Sequence, residues 1–273
     1  MFMNRLAMLA GMVALGVGVW ACGGTAPAAA PAPRTLVAVT STPALPTPLH
    51  SPLPEAEQRF KAGVALREQG KLNEAIVEYD EAIRLDPKFA EAYNNRGVAY
   101  FHLRQYEQAL DEYDKAIGLD PRYAEAYNNR GAAYYLLGLF PAAIEEFGEA
   151  IKLSPEDADA YNNRGAAFFN SGDYQRARQD FDEVIRLEPG RAEAYYNRGA
   201  ALFELGQLDQ AVSNFGDAIR LNPQIADAHA DRALAYTLLG NDSEAQRDVD
   251  RAVELGINRA ALEQSIEQLK GRP

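Results

Sequence analysis

Apolar and small residues recur at three- and four-residue spacing along most of the chain, which is the period of amphipathic helices. In one representative stretch the pattern predicts a first helix over about residues 91–103 and a second over about residues 107–119. Pro121 closes the second helix, because proline disfavours helical backbone at the residue before it. A short turn joins the two helices, so the pattern predicts a helix–turn–helix hairpin.

The hairpin pattern recurs every thirty-four residues. Each hairpin but the last ends at a proline: Pro87, Pro121, Pro155, Pro189 and Pro223. Counted from an alanine that opens each first helix, six repeats begin at Ala56, Ala90, Ala124, Ala158, Ala192 and Ala226. They are called repeats 1 to 6 below, and places within a repeat are counted from that alanine. A period of this length is typical of solenoids, in which each repeat packs on its neighbours.

Two columns of small residues indicate how a hairpin closes. The eighth place is Gly63, Gly97, Gly131, Gly165, Gly199 and then Ala233, and the twentieth is Ala75, Ala109, Ala143, Ala177, Ala211 and Ala245. Glycine inside a helix costs about 0.5–1 kcal/mol relative to alanine, so a column of glycines requires close approach of the two helices. We expect the glycine of the first helix to face the alanine of the second.

The recurring pattern Tyr–x3–Gly–x2–Tyr, followed by Tyr–x2–Ala–x3–Tyr–x2–Ala–x4–Pro, resembles the tetratricopeptide repeat and covers about residues 56–259. The resemblance implies an all-α fold, a TPR α-solenoid in which helix–turn–helix hairpins form a right-handed superhelix. It implies that the first helices line a concave groove. Six repeats are expected over residues 55–259, followed by a polar capping helix and tail over residues 260–273.

Family geometry directs the fifth, sixth and twelfth places towards that groove. The candidate peptide-binding residues are Asn94, Asn95, Asn128, Asn129, Asn162, Asn163, Asn197, Phe101, Tyr135, Phe169 and Phe203. An asparagine amide both donates and accepts, so a ladder of them can satisfy an extended peptide backbone. This row is similar to the asparagine ladder of O-linked N-acetylglucosamine transferases. The acidic second place favours a basic ligand. Alternatively, these rows were copied by duplication and have only an architectural role.

The seventh place departs from the aliphatic residue that is common in the family. It holds Arg96, Arg130, Arg164, Arg198 and Arg232. One hypothesis is a row of cations that awaits an anion. The favoured interpretation is structural: each arginine lays its methylene groups on the repeat interface and pairs with nearby carboxylates.

The N-terminal residues follow a different pattern. Residues 1–21 predict a signal peptide, because an apolar run over residues 6–20 follows one positive charge and is short for a membrane span. Cys22, the only cysteine, follows this run, which resembles the lipobox of bacterial lipoproteins and makes Cys22 the candidate lipidated residue. Trp20 departs from the small residue usual in that motif. The alternatives are an ordinary secretory signal or an uncleaved anchor.

Residues 22–54 are predicted to be a proline-, alanine- and threonine-rich disordered linker. Eight prolines in this segment favour extended backbone over a packed core. The chain as a whole carries a formal net charge of -12, with 24% charged residues, and residues 1–54 hold none of the acids. An excess of acid disfavours nucleic acid as a partner, since binding phosphates needs Lys and Arg.

The sequence offers little for catalysis. The three histidines, His50, His102 and His229, lie far apart in the chain without cysteine or paired ligands at metal spacing. We therefore expect no enzyme activity, no cofactor and no metal site.

The leading hypothesis is an interaction scaffold, anchored to a membrane by lipid in an extracytoplasmic compartment and binding an extended, basic protein or peptide. The alternative is a structural or assembly component of the cell envelope, a pilus- or secretion-associated lipoprotein that uses its convex face or its ends. Self-association of the near-identical repeats is a third hypothesis.

Overall fold

The computed structural model describes residues 50–270, in which thirteen helices and no strand are found. The predicted signal peptide, Cys22 and residues 22–49 of the predicted linker lie outside the described residues, as do residues 271–273. The described chain divides into two compact units, residues 50–167 and residues 168–270, and each is described by itself.

The first unit holds the hairpins of repeats 1 to 3 and the start of repeat 4. Its helices are α1 Pro54–Glu68, α2 Leu72–Leu85, α3 Ala90–His102, α4 Tyr106–Leu119, α5 Ala124–Leu136, α6 Phe140–Leu153 and the beginning of α7 Ala158–Asn170. The two helices predicted from the hydrophobic pattern of repeat 2 correspond to α3 and α4, and no predicted end differs by more than one residue. The predicted hairpins are confirmed.

The second unit begins within α7 and holds the remaining helices. These are α8 Tyr174–Leu187, α9 Ala192–Glu204, α10 Leu208–Leu221, α11 Ala226–Leu238, α12 Asp242–Glu254 and α13 Arg259–Lys270. The last helix, α13, buries Leu262 in a cluster with Ala230 of α11 and Val249 of α12. Most of its other residues are polar and exposed, so α13 covers the apolar side of repeat 6 with a polar surface.

The turn between the two helices of a hairpin requires left-handed backbone at the fifteenth place. Five repeats have glycine there with positive φ: Gly70, Gly138, Gly172, Gly206 and Gly240. In repeat 2 the same place holds Arg104 with φ 61°. It is the one non-glycine residue with positive φ among the described residues. Glycine adopts this conformation without steric cost, whereas other L-residues are strained by their Cβ.

The end of each second helix also follows from the sequence. Asp86 and Asp120 precede prolines and have extended backbone, which terminates α2 and α4. Each aspartate then accepts a hydrogen bond from the backbone N–H two residues later, at 3.1 Å from Lys88 and 2.9 Å from Arg122. These short turns lead directly into the next first helix.

The structure corrects the expected partner of the glycine column. The nearest atoms to a Cβ built at Gly63, Gly97, Gly131 or Gly199 belong to an aromatic ring at the twenty-fourth place, not to the alanine at the twentieth. The rings are those of Tyr79, Tyr113, Phe147 and Phe215, at 2.6–2.8 Å from such a Cβ. Each ring is completely buried, and it leaves no room for a Cβ on the glycine that it contacts. Close approach was therefore predicted correctly, but its partner was not.

Candidate functional site

The seven candidate asparagines are buried, with relative exposures between 0% and 5%. In the first unit they join successive repeats by hydrogen bonds between their side-chain amides. Asn129 Nδ2 donates to Asn94 Oδ1 at 3.0 Å, and Asn163 Nδ2 donates to Asn128 Oδ1 at 3.1 Å. The fifth and sixth places thus hold neighbouring first helices in register.

Asn94 makes several hydrogen bonds at the junction with the following repeat. Its Nδ2 donates to the hydroxyl of Tyr123 at 3.2 Å and to Oε1 of Glu125 at 3.1 Å. Asn95 donates to the backbone carbonyl of Glu91 at 2.9 Å. Among the described residues, Oδ1 of Asn95 and Oδ1 of Asn129 have no hydrogen-bond partner, although both atoms are buried. Acceptor capacity therefore remains in the row, beneath the surface.

In the second unit the fifth place of repeat 5 is Tyr196 rather than asparagine. Its hydroxyl donates to Asp231 Oδ2 in repeat 6 at 3.1 Å, so a hydrogen bond between repeats is kept with different residues. Asn197, at the sixth place, is buried.

The candidate aromatic residues of the twelfth place are half-buried. Three of them meet the aromatic residue that opens the following helix, ring edge to ring face. The centroid distances are 5.5 Å for Phe101 with Tyr106, 5.5 Å for Tyr135 with Phe140, and 5.1 Å for Phe169 with Tyr174. Phe203 instead packs against the buried cluster of Leu202, Ala211 and Phe215. Each ring thus supports its own hairpin and keeps part of its surface accessible.

Two acidic residues of the second place, Glu91 and Glu125, lie in surroundings that disfavour their charge. Burial is the main cause that raises the pKa of Glu125 to about 7, and the charge of Asp157 adds to it, against the lowering effects of Asn94 and Arg67. Burial also raises the pKa of Glu91, as do the charges of Asp120 and Asp86. This burial could not be seen from the sequence, where the second place resembles a solvated acidic face.

Tyr123, which sequence reasoning did not single out, lies near both carboxylates, since the charge of each acts on its hydroxyl. It is 3% exposed, and burial followed by the charges of Glu125 and Glu91 holds its pKa well above the usual value. The second and twelfth places are both directed towards the groove by the family geometry, and their spacing sets them about a quarter turn apart around the first helix. We call the side of α3 and α5 that carries Glu91, Phe101, Glu125 and Tyr135 the first-helix face.

The arginines of the seventh place pair with carboxylates from two repeats. Arg96 contacts Asp80 of repeat 1 and buried Glu112 of its own repeat. Arg130 likewise contacts Asp114 of repeat 2, and its Nε lies 2.9 Å from Glu146. The guanidinium of each also lies 5.5 Å from the centre of the tyrosine ring at the fourth place, Tyr93 or Tyr127. For Arg96 and Arg130, the pairing with nearby carboxylates is confirmed.

Other chemistry is sparse in the part of the chain that the structure describes. No group of three or more histidine, cysteine or acidic side chains within residues 50–270 is placed to hold a metal ion. His229 contacts Asp248 at 3.2 Å, and His50 contacts Asp86 at 2.7 Å, so these two histidines lie in separate contacts. None of the thirteen described helices has both the length and the apolar character needed to cross a membrane.

Comparison with protein families gives matches over most of the repeats. The model described as TPR repeat matches residues 63–104, 101–138, 133–172 and 199–240, which together are more than half of the chain. A second model, described as tetratricopeptide repeat, matches residues 162–213. Among curated protein sequences, none matches this chain significantly.

Several solved structures resemble the described chain. YrrB, described as a TPR protein with an unusual peptide-binding site, is 24% identical, with a TM-score of 0.61 over 69% of this chain and 97% of its own. MamA protein is 28% identical, with a TM-score of 0.57 over 63% of this chain and 94% of its own. PilF of Pseudomonas aeruginosa is 18% identical, with a TM-score of 0.69 over 78% and 97%. These likenesses confirm the all-α solenoid fold.

Proposed function

Because the chain belongs to the tetratricopeptide repeat family, whose members are generally protein–protein interaction scaffolds and typically not enzymes, we propose that it binds a partner protein. The finer proposal is that the first-helix face of residues 50–167 receives an extended, basic segment of that partner. The observation that carries it is the burial of two carboxylates on this face. Burial raises the pKa of Glu125 to about 7 and also raises the pKa of Glu91.

A cationic side chain from the partner would offset the cost of burying the charged carboxylate of Glu125. Burial removes water from Glu125, and neither the neutral amide of Asn94 nor the charge of Arg67 offsets the resulting rise in its pKa. A Lys or Arg placed beside the carboxylate favours its charged form and forms a charge-assisted hydrogen bond. The half-buried rings of Phe101 and Tyr135 lie on the same side of the helices and offer flat surfaces to side chains or to a second cation.

The asparagines support this face from beneath. Asn94 positions Glu125 directly, and the bond from Asn129 to Asn94 fixes the spacing of α3 and α5. Direct contact between these asparagines and a peptide backbone stays a prediction, since it requires their amides to exchange present partners for peptide groups.

Binding of charged peptides to the full chain tests the proposal. Fluorescence anisotropy would compare an extended Lys/Arg-rich peptide with an acidic peptide of the same length and apolar content. The matched variants are Glu91→Gln/Glu125→Gln on the face and Glu107→Gln/Glu145→Gln at exposed places of α4 and α6. We expect the face variant to weaken binding of the basic peptide by about tenfold or more, which is roughly 1.4 kcal/mol, and the control to change it little.

Three other outcomes would argue against binding of a basic segment at the first-helix face. Equal losses in both double variants would mean that the basic peptide responds only to the overall negative charge. Equal affinities for the acidic and the basic peptide would show that Glu91 and Glu125 do not select the ligand by charge. A partner bound tightly by the natural chain and by both variants would favour the envelope-assembly hypothesis, in which other surfaces make the contact.

We further propose that the repeats are held at a membrane outside the cytoplasm by a lipid on Cys22. The proposal rests on the apolar run over residues 6–20, the cysteine that follows it and the proline-rich segment after it. Mass spectrometry of the mature chain should find residues 1–21 removed and an acyl mass on Cys22, with Cys22→Ser as the control. An intact signal segment or an unmodified Cys22 would contradict the anchor without affecting the peptide site.

A further inference from the structure

A cavity of about 250 Å³ lies between α8, α9 and α10 in the second unit. Its polar wall consists of Arg178, Asp182, Arg198, Gln210, Ser213 and Asn214. Two guanidinium groups and one carboxylate give this wall a formal charge of +1, in a chain whose net charge is -12. An excess of positive charge at an opening between helices is therefore unusual for this protein.

Two departures from the repeat pattern produce that charge. The twenty-first place is aliphatic in four repeats, as Ile76, Leu110, Ile144 and Val212, and neutral as Gln246 in the last, but it is Arg178 in repeat 4. The twenty-third place is acidic in five repeats, as Glu78, Glu112, Glu146, Asp180 and Asp248, but it is Asn214 in repeat 5. One change adds a cation and the other removes an anion, and both side chains line the same cavity.

Hydrogen bonding shows what the second change does. In repeat 6 of the same unit, Arg232 donates from Nε and Nη2 to Asp248, at 2.7 and 2.8 Å, so a carboxylate fills the fork of the guanidinium. In repeat 5, Arg198 Nε donates to Oδ1 of Asn214 at 2.7 Å. The amide nitrogen of Asn214 donates elsewhere, to the carbonyl of Gln210 at 2.8 Å.

One donor of each arginine contacts the same carboxylate. Arg178 Nη1 and Arg198 Nη1 both donate to Asp182, at 2.9 and 2.8 Å. Within residues 50–270, the side-chain hydrogen bonds of these arginines use Nε and Nη1 of Arg198 and Nη1 of Arg178, which leaves Nη2 of Arg198 and Nε and Nη2 of Arg178 for a ligand. Both arginines are about three quarters buried, with side-chain exposures of 29% and 23%. Donors on partly buried cations favour an anionic acceptor.

We propose that this cavity binds a compact oxyanion, a phosphate or a carboxylate group. Its oxygens would accept from Nη2 of Arg198 and from Arg178, in the planar geometry for which guanidinium groups are suited. Ser213 and Gln210 provide further polar groups at the wall. The site lies in the second unit and is independent of the first-helix face.

Restoring the residues that other repeats carry gives variants that are expected to fold. Asn214→Glu supplies the carboxylate that Glu112 and Glu146 supply in repeats 2 and 3, and Arg178→Leu supplies the residue of repeat 2. The control is Arg220→Gln, which removes an exposed arginine of α10 at a distance from the cavity wall. Circular dichroism and unliganded melting curves would verify the fold of each variant.

Inorganic phosphate and acetate, titrated separately into the full chain at constant ionic strength, are the probes for isothermal calorimetry and thermal melting. We expect saturable binding of at least one of them. Asn214→Glu and Arg178→Leu should each weaken this binding about tenfold or more, which corresponds to a loss of about 1.4 kcal/mol. Binding by Arg220→Gln should be unchanged. Tighter binding of phosphate identifies a phosphate ligand, and tighter binding of acetate identifies a carboxylate. Absence of saturable binding of either, or equal binding by the cavity variants, overturns the proposal.

Discussion

Gly131 of α5 lies directly against the ring of Phe147 in α6, and a Cβ at Gly131 would stand 2.8 Å from Cε1 of that ring. The completely buried ring cannot retreat without disturbing the core of the first unit. Gly131→Ala should therefore destabilise the protein by about 1–3 kcal/mol, despite the better helix propensity of alanine. Urea unfolding measures this loss.

Gly118 is the matched control for that substitution. It lies in the last turn of α4, and nothing stands within 4 Å of a Cβ built there. Gly118→Ala should stabilise the protein by up to about 0.5 kcal/mol, because only helix propensity changes. A gain at both glycines would refute the close packing of ring and helix.

Among the described residues, Arg104 is the one that has a side chain in the left-handed conformation of a hairpin turn. Its φ of 61° is the conformation that glycine adopts in the turns of the other five hairpins. Arg104→Gly should raise the free energy of unfolding by up to about 1 kcal/mol, because the relieved strain exceeds the added freedom of the unfolded chain. The reverse change, Gly138→Arg, should lower it, and an unchanged or lowered stability in Arg104→Gly would contradict the account.

Arg96 neutralises Glu112, which is 6% exposed. Arg96→Met keeps the methylene groups but leaves this carboxylate with Lys115 alone, so we expect a loss of about 1–3 kcal/mol. Adding Glu112→Gln should restore part of the loss, because the buried charge is then gone. Arg84→Met removes an exposed ion pair and should cost less. Equal effects of Arg96→Met and Arg84→Met in urea unfolding would argue against the pairing between repeats.

Glu125 should make the stability of the protein depend on pH. Its folded pKa of about 7 lies above its ordinary value, so the folded state binds the proton more tightly than the unfolded state. The resulting stabilisation is present below the unfolded pKa and is lost as pH rises through about 7. Each tenfold difference in proton affinity is worth about 1.4 kcal/mol. The free energy of unfolding of Glu125→Gln, relative to that of the natural chain, should therefore rise by up to about 3 kcal/mol as the pH increases from the unfolded pKa to above about 7.

Glu107→Gln, which changes an exposed acid, is the control for that comparison. Unfolding of both variants at several pH values between about 4 and 8 separates the contribution of Glu125 from that of the other acids. A stability difference between Glu125→Gln and the natural chain that does not grow with pH would contradict the buried carboxylate.

The hairpins could be predicted because each signal is local. Helical periodicity, prolines such as Pro121 and turn glycines such as Gly138 act within a few residues, and their recurrence repeats the same information six times. The pairing of Arg96 and Arg130 could also be predicted, since acids surround them in the repeat pattern.

The candidate site was harder because it depends on contacts between repeats. The row of asparagines marks the surface between first helices, but its bond from Asn129 to Asn94 requires a known distance between helices. The same holds for Gly97, whose neighbour is the ring of Tyr113, and for the burial of Glu125. Sequence spacing gives the side of a helix on which a residue lies, but not the depth of that residue beneath its neighbours.

Hydrogen exchange of the full chain with and without the basic peptide locates the peptide on the protein and so tests binding at the first-helix face. We expect added protection in α3 and α5, at Ala90–His102 and Ala124–Leu136, and loss of this protection in Glu91→Gln/Glu125→Gln. Protection confined to the second helices α4 and α6, or protection in α3 and α5 that survives in that variant, would contradict binding at the first-helix face.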